Sequence, residues 1–313
     1  MILKGENMTT ELKPITNRIN NEILKYVFCD KDFESLYVVG SMIDDNYIEG
    51  MNNDYDIRVI FKDINTDTID KFEKYLENIC KKVSNDNLEV TCSILDGPIH
   101  HIKNNNKKNL LIHTIIYTKE TLNRLSLPNK YQYGNNYKLI YGKDYFKEFK
   151  NIKYSLEDIT NSYEGLYYCI DMLKRKEFRY KTWDNINNKC ELTYHKSAMS
   201  EDIIISSCFY AVNTFIDNLM NYCYFNNYDI PKDKMIFCIR LLGQINIDEN
   251  IVFLLQGLFT RSESILKAIF ANPLKETIEL LELFSLYINK IDSIFPKKED
   301  KRLNKYKKYL LRI

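Results

Sequence analysis

Gly40-Ser41 ends the apolar run Ser35-Leu36-Tyr37-Val38-Val39, and some twelve residues further on the chain reads Asp54-Tyr55-Asp56-Ile57-Arg58-Val59-Ile60-Phe61. Side chains alternate sides along a strand, so Asp54 and Asp56 fall on one face. Two carboxylates held that closely repel one another unless a proton, a basic neighbour or a cation compensates. A divalent Mg²⁺ that also holds a bound triphosphate is a natural solution, because this ion takes few protein carboxylates and completes its shell with phosphate and water. The chemistry this pattern permits is transfer at a nucleotide phosphate.

Such a pair has to be placed by a rigid frame, and the flanking periodicities supply one. Ile19, Ile23, Leu24 and Val27 recur at helical spacing over 16–28, ahead of a strand at 35–41. After a second strand at 55–62, Asp67 is positioned to cap a helix that carries Ile69, Phe72, Leu76, Ile79 and Val83, ended by Ser84-Asn85-Asp86-Asn87. Residues 88–95 alternate Leu88, Val90, Cys92 and Ile94 with Glu89, Thr91 and Ser93, a third strand with one packed and one polar face. Asp96-Gly97-Pro98 turns the chain, the basic, Asn-rich stretch 103–109 reads as a loop, and 110–117 is a fourth strand followed by a short helix at 119–125.

From 127 to 149 Pro128, Gly134, Asn135, Asn136 and Gly142 break the pattern, which predicts a connecting region that ends in a short helix. Beyond it the period turns helical, over about 155–178, 200–225, 233–243, 248–272 and 274–293. The expected fold is an α/β (α+β) domain, a mixed sheet flanked by helices, over 1–150, and an all-α helical bundle over 151–313.

The 313 residues are 45% hydrophobic, enough for two cores, while 44 basic and 43 acidic side chains leave a net charge of +1. Such a balance provides no general field for nucleic acid or membrane, so partners must be argued from sites. Eight cysteines are scattered without a CxxC pair or close Cys/His spacing, and are expected to be reduced and buried. Met1–Lys13 lacks the apolar core of a signal peptide and no run is expected to reach the length of a membrane span, which together predict a cytoplasmic protein. Only nine Gly and six Pro accompany frequent Asn, Lys, Ile and Tyr, a compositional bias that drains meaning from single Lys or Asn residues.

With Gly40-Ser41 and Asp54-Tyr55-Asp56 on consecutive strands before a helix, the first half resembles the nucleotidyltransferase superfamily that includes DNA polymerase beta. Tyr141-Gly142-Lys143-Asp144 is similar to a segment that follows the catalytic domain in bacterial antibiotic-type nucleotidyltransferases, and Phe209–Lys234 looks like part of their helical C-terminal domain. The resemblance implies transfer of a nucleoside monophosphate from an NTP to a hydroxyl with release of pyrophosphate, using two Mg²⁺ ions. It implies that Gly40 and Ser41 meet the triphosphate and that Asp54 and Asp56 hold metal. It also implies a third carboxylate from a later strand, for which Glu89 is the first candidate and Asp96 its competitor.

Other candidates weigh less. Arg58, on the same strand face as the aspartates, can meet a phosphate or pair with a carboxylate. Lys143 and Lys234 can reach a triphosphate, or simply be exposed. His100-His101 lie where related enzymes border their acceptor. His113, in an apolar strand, reads as a hydrogen-bonded core histidine. Glu164 and Asp171 share a helix face and can present a base, and Lys297–Arg312 is a basic stretch able to touch RNA or a nucleotide. The acceptor is expected to be a small hydroxyl-bearing molecule such as an aminoglycoside-like antibiotic. The alternatives are an RNA- or protein-modifying transferase of a toxin–antitoxin type and a catalytically inactive binding protein on the same fold.

Overall fold

Alternating β-branched and aromatic residues draw the N-terminal half into a five-stranded mixed sheet in the computed structural model, which describes residues 9–27, 30–43, 53–97, 108–187, 189–243, 249–260 and 263–298. Its strands are β1 (Phe33–Val39), β2 (Asn53–Phe61), β3 (Leu88–Ser93), β4 (Lys108–Thr118) and β5 (Tyr137–Gly142), in the spatial order β3-β4-β2-β1-β5. β3, β4 and β2 run parallel, whereas β1 is antiparallel to both β2 and β5.

One face of this sheet is covered by α1 (Thr9–Val27) and α2 (Thr66–Val83). Ile19, Ile23, Phe72, Leu76 and Ile79 pack there against Leu36, Val38, Tyr55, Ile57 and Val59. Tyr55 carries its hydroxyl through that layer to donate to Asn20 Oδ1 at 2.8 Å, which ties β2 to α1. α2 is capped by Asn65, which accepts from the Thr68 backbone N–H, and not by the expected Asp67. An Asn one residue before the helix in extended backbone meets the capping geometry, and Asp67 lies inside the first turn, where its charge suits the helix dipole instead.

The opposite face is divided. Over its inner half Tyr37, Val39, Ile60, Ile115 and Tyr117 pack with Leu122, Tyr133, Tyr145, Phe146 and Phe149, brought by α3 (Lys119–Asn123), α4 (Leu127–Asn135) and a 3-10 turn at Phe146–Phe149. The remaining part of the face is polar.

The 127–149 region therefore contains a helix and an edge strand where a connection ending in a short helix was expected. Ser126 caps α4, with Pro128 inside the first turn where its missing N–H costs nothing, and Gly134 presses its Cα against the Phe149 backbone. Gly142 has φ +86°, and an added Cβ would lie 1.8 Å from Glu34 O. Only glycine fits that close approach to β1.

A second correction concerns 177–198, which forms a hairpin, β6 (Glu177–Ile186) and β7 (Lys189–Ala198), between helices. Lys181 and Asp96 exchange backbone hydrogen bonds at 2.8 and 3.0 Å, and Trp183 Nε1 donates to Ile116 O at 3.1 Å, past the end of β3. The hairpin thereby satisfies backbone groups that the end of β3 leaves open. Two compact units result: one comprises 1–152 with 176–207, the other 153–175 with 208–313.

The second unit is helical. The expected helix over 155–178 is split into α5 (Leu156–Asn161) and α6 (Leu166–Arg175), with Gly165 so near Ile159 O that a Cβ would approach to 2.5 Å. α7 (Glu201–Phe225), α8 (Lys234–Leu242), α9 (Glu249–Phe259), α10 (Glu263–Ile269), α11 (Pro273–Tyr287) and α12 (Ile291–Ile294) complete it, α7 entering from the first unit. The ring pairs Phe215–Phe284 and Phe237–Phe295, with centroids 5.7 and 5.1 Å apart, mark its core. Against expectation, 203–225 in α7 does reach the length and apolarity of a membrane span. More than half of that window is buried within the fold, as in a core helix, with Val212, Phe215, Ile216 and Leu219 wholly enclosed. The seven cysteines among the described residues are all free thiols.

Candidate active site

Parallel register sets the polar half of the sheet. Asp54 lies beside Leu111 and Asp56 beside His113, with Thr91 and Ser93 in the same two rows on β3. Asp54, Asp56, Arg58, His113, Thr91 and Ser93 therefore share a face, at the N-terminal ends of β2 and β4 and next to the C-terminal end of β1.

Gly40 follows β1 with φ +78° and opens a 3-10 turn over Gly40–Met42. A Cβ on it would lie 2.6 Å from Asp56 Oδ2, so the turn and the carboxylate are packed against each other and only glycine admits both. The Gly40-Ser41 and Asp54-Tyr55-Asp56 segments, separate in sequence, are thus one local structure. Ser41 occupies the same turn.

Asp56 is held from two sides. His113 Nδ1 lies 2.9 Å from Asp56 Oδ1 and its Nε2 lies 3.1 Å from Leu95 O. Both ring nitrogens thus face oxygen atoms, which fixes the position and plane of the ring against β2. Arg58 Nη2 stands 3.6 Å from the same Oδ1, while its Nε donates to Tyr133 OH at 2.8 Å and Nη1 to Ile57 O at 2.9 Å. Arg58 is 7% exposed. Burial works against its charge, but Tyr133, Asp56 and Tyr117 outweigh that and hold its pKa above the usual arginine value. Burial also pushes Tyr133 up, and Tyr117 well up, with their hydroxyls 3.4 Å apart, so this end of the site is a neutral phenol pair around a fixed guanidinium.

Glu89, Asp96 and Lys143 belong to the same unit as the Asp54 and Asp56 pair. Glu89 aligns with Asn109, one row before Asn53, and is two strands away from β2. At strand spacings of about 4.8 Å and a rise of about 3.3 Å its backbone is roughly 12 Å from that of Asp54 and farther from Asp56. Its Oε2 is buried without a hydrogen-bond partner among the described residues. Asp96 is engaged by the hairpin, its Oδ2 3.7 Å from Lys181 Nζ, and its charge helps to raise the Tyr117 and Tyr133 phenols at the Arg58 end of the site. Lys143 is exposed over the Tyr145 ring, and its backbone carbonyl accepts from Ser35 Oγ and Tyr37 OH at 2.6 Å each, while Asp144 accepts from Tyr137 OH at 2.8 Å. In this fold the Tyr141–Asp144 segment latches β5 to β1.

Lys234 belongs to the second unit, where its Nζ is 2.8 Å from Asp217 and 3.3 Å from Asn213 Oδ1. Glu164 is buried there, whereas Asp171 binds Arg175 on a helix surface. His100-His101 and most of Lys297–Arg312 lie outside the described residues.

Among the described residues no group of three or more His, Cys, Asp or Glu side chains is brought together to hold a metal. Asp54 and Asp56 do present oxygen ligands on one face, with Asp54 Oδ1 buried. That donor set fits a Mg²⁺ ion which takes the rest of its shell from phosphate oxygens and water. It does not make a site that is complete on its own.

The structure brings Gly40, Asp54 and Asp56 together and adds Tyr133, which the sequence reading passed over; His113, read from the sequence as a hydrogen-bonded core histidine, is hydrogen-bonded, to Asp56 and Leu95 O. A histidine in a strand was visible as such. Its partner depended on the β2–β4 register, which no sequence signal on β4 sets.

No family profile matches the chain, and no curated protein matches it. Among solved structures, the crystal structure of spectinomycin adenyltransferase AAD(9) from Enterococcus faecialis with ATP and spectinomycin is similar over 87% of this chain and 99% of that chain, with a TM-score of 0.45 and 12% identity. A likeness at that level assigns no activity.

Proposed function

We propose that this chain is a Mg²⁺-dependent nucleotidyltransferase that moves a nucleoside monophosphate from an NTP to a hydroxyl of a small acceptor and releases pyrophosphate. The observation that carries the reading is the contact between the Gly40 turn and the Asp56 carboxylate, with Asp54 on the same face of the adjoining strand. A turn able to offer backbone N–H groups beside two carboxylates serves one kind of ligand, an anion that arrives with a cation. When bound, the divalent ion supplies charge neutralisation at the phosphates.

The protein's own residues do the positioning. Gly40 lets the β1–β2 connection approach Asp56 without a side chain in the way, and Ser41 is the first hydroxyl beyond it. Asp54 and Asp56 serve as metal ligands, while His113 and Arg58 fix where Asp56 sits. Positioning of this kind, with little covalent work for the protein, is the usual division of labour in phosphoryl transfer. The near-zero net charge supports a small acceptor over long nucleic acid.

One observation favours a second reading. Among the described residues no group of three acidic, His or Cys side chains is assembled at the pair, which suits a nucleotide-binding protein without turnover. The two readings separate when the purified chain is given each labelled NTP, Mg²⁺ and a panel of polyhydroxylated aminocyclitol acceptors, beside an Asp54→Asn/Asp56→Asn variant. Pyrophosphate release that needs both aspartates supports transfer. Metal-dependent nucleotide binding without release supports the second reading, and absence of both overturns the site assignment.

A further inference from the structure

Ser84 closes α2 and fixes where the next strand begins. Its backbone N–H donates to Cys80 O at 2.9 Å, and its Oγ accepts from the Val90 backbone N–H at 2.9 Å. Asn85 and Leu88 exchange backbone hydrogen bonds at 2.9 and 3.3 Å, while Asn85 Oδ1 accepts from the backbone N–H groups of Asn87 and Leu88. The chain therefore reverses from α2 into β3 through a connection whose polar groups hold one another in place.

Two cysteines stand at matching distances from that anchor. Cys80 is one helical turn back from Ser84 along α2, about 6 Å. Cys92 is two residues beyond Val90 along β3, about 6.6 Å. Helix and strand run in opposite directions, so both steps lead the same way. Cys80 shares the buried face of α2 with Ile79 and Val83, and Cys92 shares the face of β3 that carries Leu88 and Val90, packed into the same core. Their thiols hydrogen-bond each other, and both are free.

The two differ in access and in character. Cys80 is buried, whereas Cys92 is half-buried on β3, an edge strand of the sheet. The hydrogen bond from Cys80 holds the Cys92 thiol below the usual cysteine range, against burial and the charges of Glu77 and Glu73. Burial instead pushes the Cys208 and Cys223 thiols up to about 12, and raises Cys190 as well. Thiol oxidation runs through the thiolate, so Cys92 is suited to react first and Cys80 to follow. The two glutamates repel an approaching anion, which leaves entry to a small neutral oxidant.

We propose that Cys80 and Cys92 form a redox-modification site, in which hydrogen peroxide oxidises Cys92 to its sulfenic acid and Cys80 converts that to a Cys80–Cys92 disulfide. In the first step the Cys92 sulfur bonds to one peroxide oxygen as the O–O bond breaks, and the departing hydroxide takes up the proton that Cys92 had released. In the second the Cys80 sulfur bonds to the Cys92 sulfur, and the sulfenic hydroxyl leaves with the Cys80 proton as water. Two thiols and one peroxide give one disulfide and two waters. The new bond staples the end of α2 to β3 on the face of the sheet away from Asp54 and Asp56, and the proposal does not depend on the nucleotide reading.

The reduced full chain is treated with a small molar excess of hydrogen peroxide, blocked with N-ethylmaleimide and digested without reduction for mass spectrometry. The expected product is a peptide pair joined through Cys80 and Cys92, which dithiothreitol separates. In Cys80→Ser, dimedone should trap Cys92 as the sulfenic acid adduct, and in Cys92→Ser the Cys80 thiol should stay unmodified. A further arm needs no variant: phenylarsine oxide, which bridges adjacent thiols, should bind the wild-type chain and protect both cysteines from N-ethylmaleimide. Absence of the joined peptide, linkage of either cysteine to another partner, or oxidation of Cys190 faster than Cys92 overturns the site. Linkage by glutathione disulfide faster than by peroxide at equal concentration overturns the assigned oxidant.

Discussion

Replacing Gly40 by alanine tests the central contact. The left-handed backbone at φ +78° costs a non-glycine residue about 1 kcal/mol. The new Cβ would lie 2.6 Å from Asp56 Oδ2, and that gap must open by roughly 0.4–0.8 Å to reach ordinary contact. Turning the carboxylate off its rotamer costs about 1 kcal/mol. Weakening its charge-assisted bond to His113 adds about another 1 kcal/mol. The expected loss is about 3 kcal/mol, which for a unit of this size lowers Tm by about 6–12 °C. Because the displaced group is the proposed ligand, Mn²⁺-nucleotide affinity should fall by at least tenfold at temperatures where the variant is still folded. A double-mutant cycle isolates the contact: in an Asp56→Ala background Gly40→Ala should cost only the backbone strain, giving a coupling of about 2 kcal/mol between the two sites. Urea unfolding of the four proteins measures it. Additivity within about 0.5 kcal/mol, or unchanged nucleotide affinity in Gly40→Ala, would refute the reasoning.

Further outcomes follow from the same geometry. Arg58→Met should destabilise by about 2–3 kcal/mol, below the full figure for a broken buried pair because Asp56 keeps some access to water, and Arg58→Lys should not restore Tyr133's bond; chemical denaturation reads both. Tyr117 and Tyr133 have folded pKa values raised above an unfolded value near 10. Their contribution is therefore complete below pH 10 and is lost as pH rises beyond it, so thermal stability should decline above pH 10 and the decline should shrink in Tyr133→Phe. Trp183 is the only tryptophan, and its emission should shift to the red at the same denaturant midpoint as the far-ultraviolet signal if the hairpin is part of the sheet unit. Trp183→Phe, which removes the donor to Ile116 O, should cost about 1–3 kcal/mol in the same experiment.

What could be read from the chain divides along physical lines. β1 to β4 and α2 were legible because each buries one periodic face, as the spacing of Ile69, Phe72, Leu76 and Ile79 and the alternation of Leu88, Val90 and Cys92 show. β5 was hidden because it is an edge strand, with Lys138, Leu139 and Tyr141 all exposed, so no alternation marks it between Asn136 and Gly142. The β6–β7 hairpin was hidden for a related reason, since Lys and Glu occur on both of its faces. A signal was present nonetheless: Asn187-Asn188 between runs rich in Thr, Tyr and Trp, with Asn187 at φ +50°, is the turn chemistry of a two-residue hairpin loop. At the candidate site the local pattern gave the aspartates and the glycine, which are neighbours through a turn. His113 and Tyr133 reach Asp56 and Arg58 from distant segments, by strand register and by the placement of α4, and those are products of the whole sheet.

The interleaving of the two units along the chain sets a timetable for synthesis. Residues 153–175 belong to the second unit, yet 176–207 return to the first. On the ribosome the sheet can collect its five strands once residue 142 has emerged, but the hairpin that covers the open stretch of β4 arrives some fifty residues later. At about 5–20 residues per second this leaves the bare Ile116 edge exposed for seconds. A fragment ending at 150 would hold that edge open permanently and is expected to aggregate, whereas one ending near 207 carries its own cover.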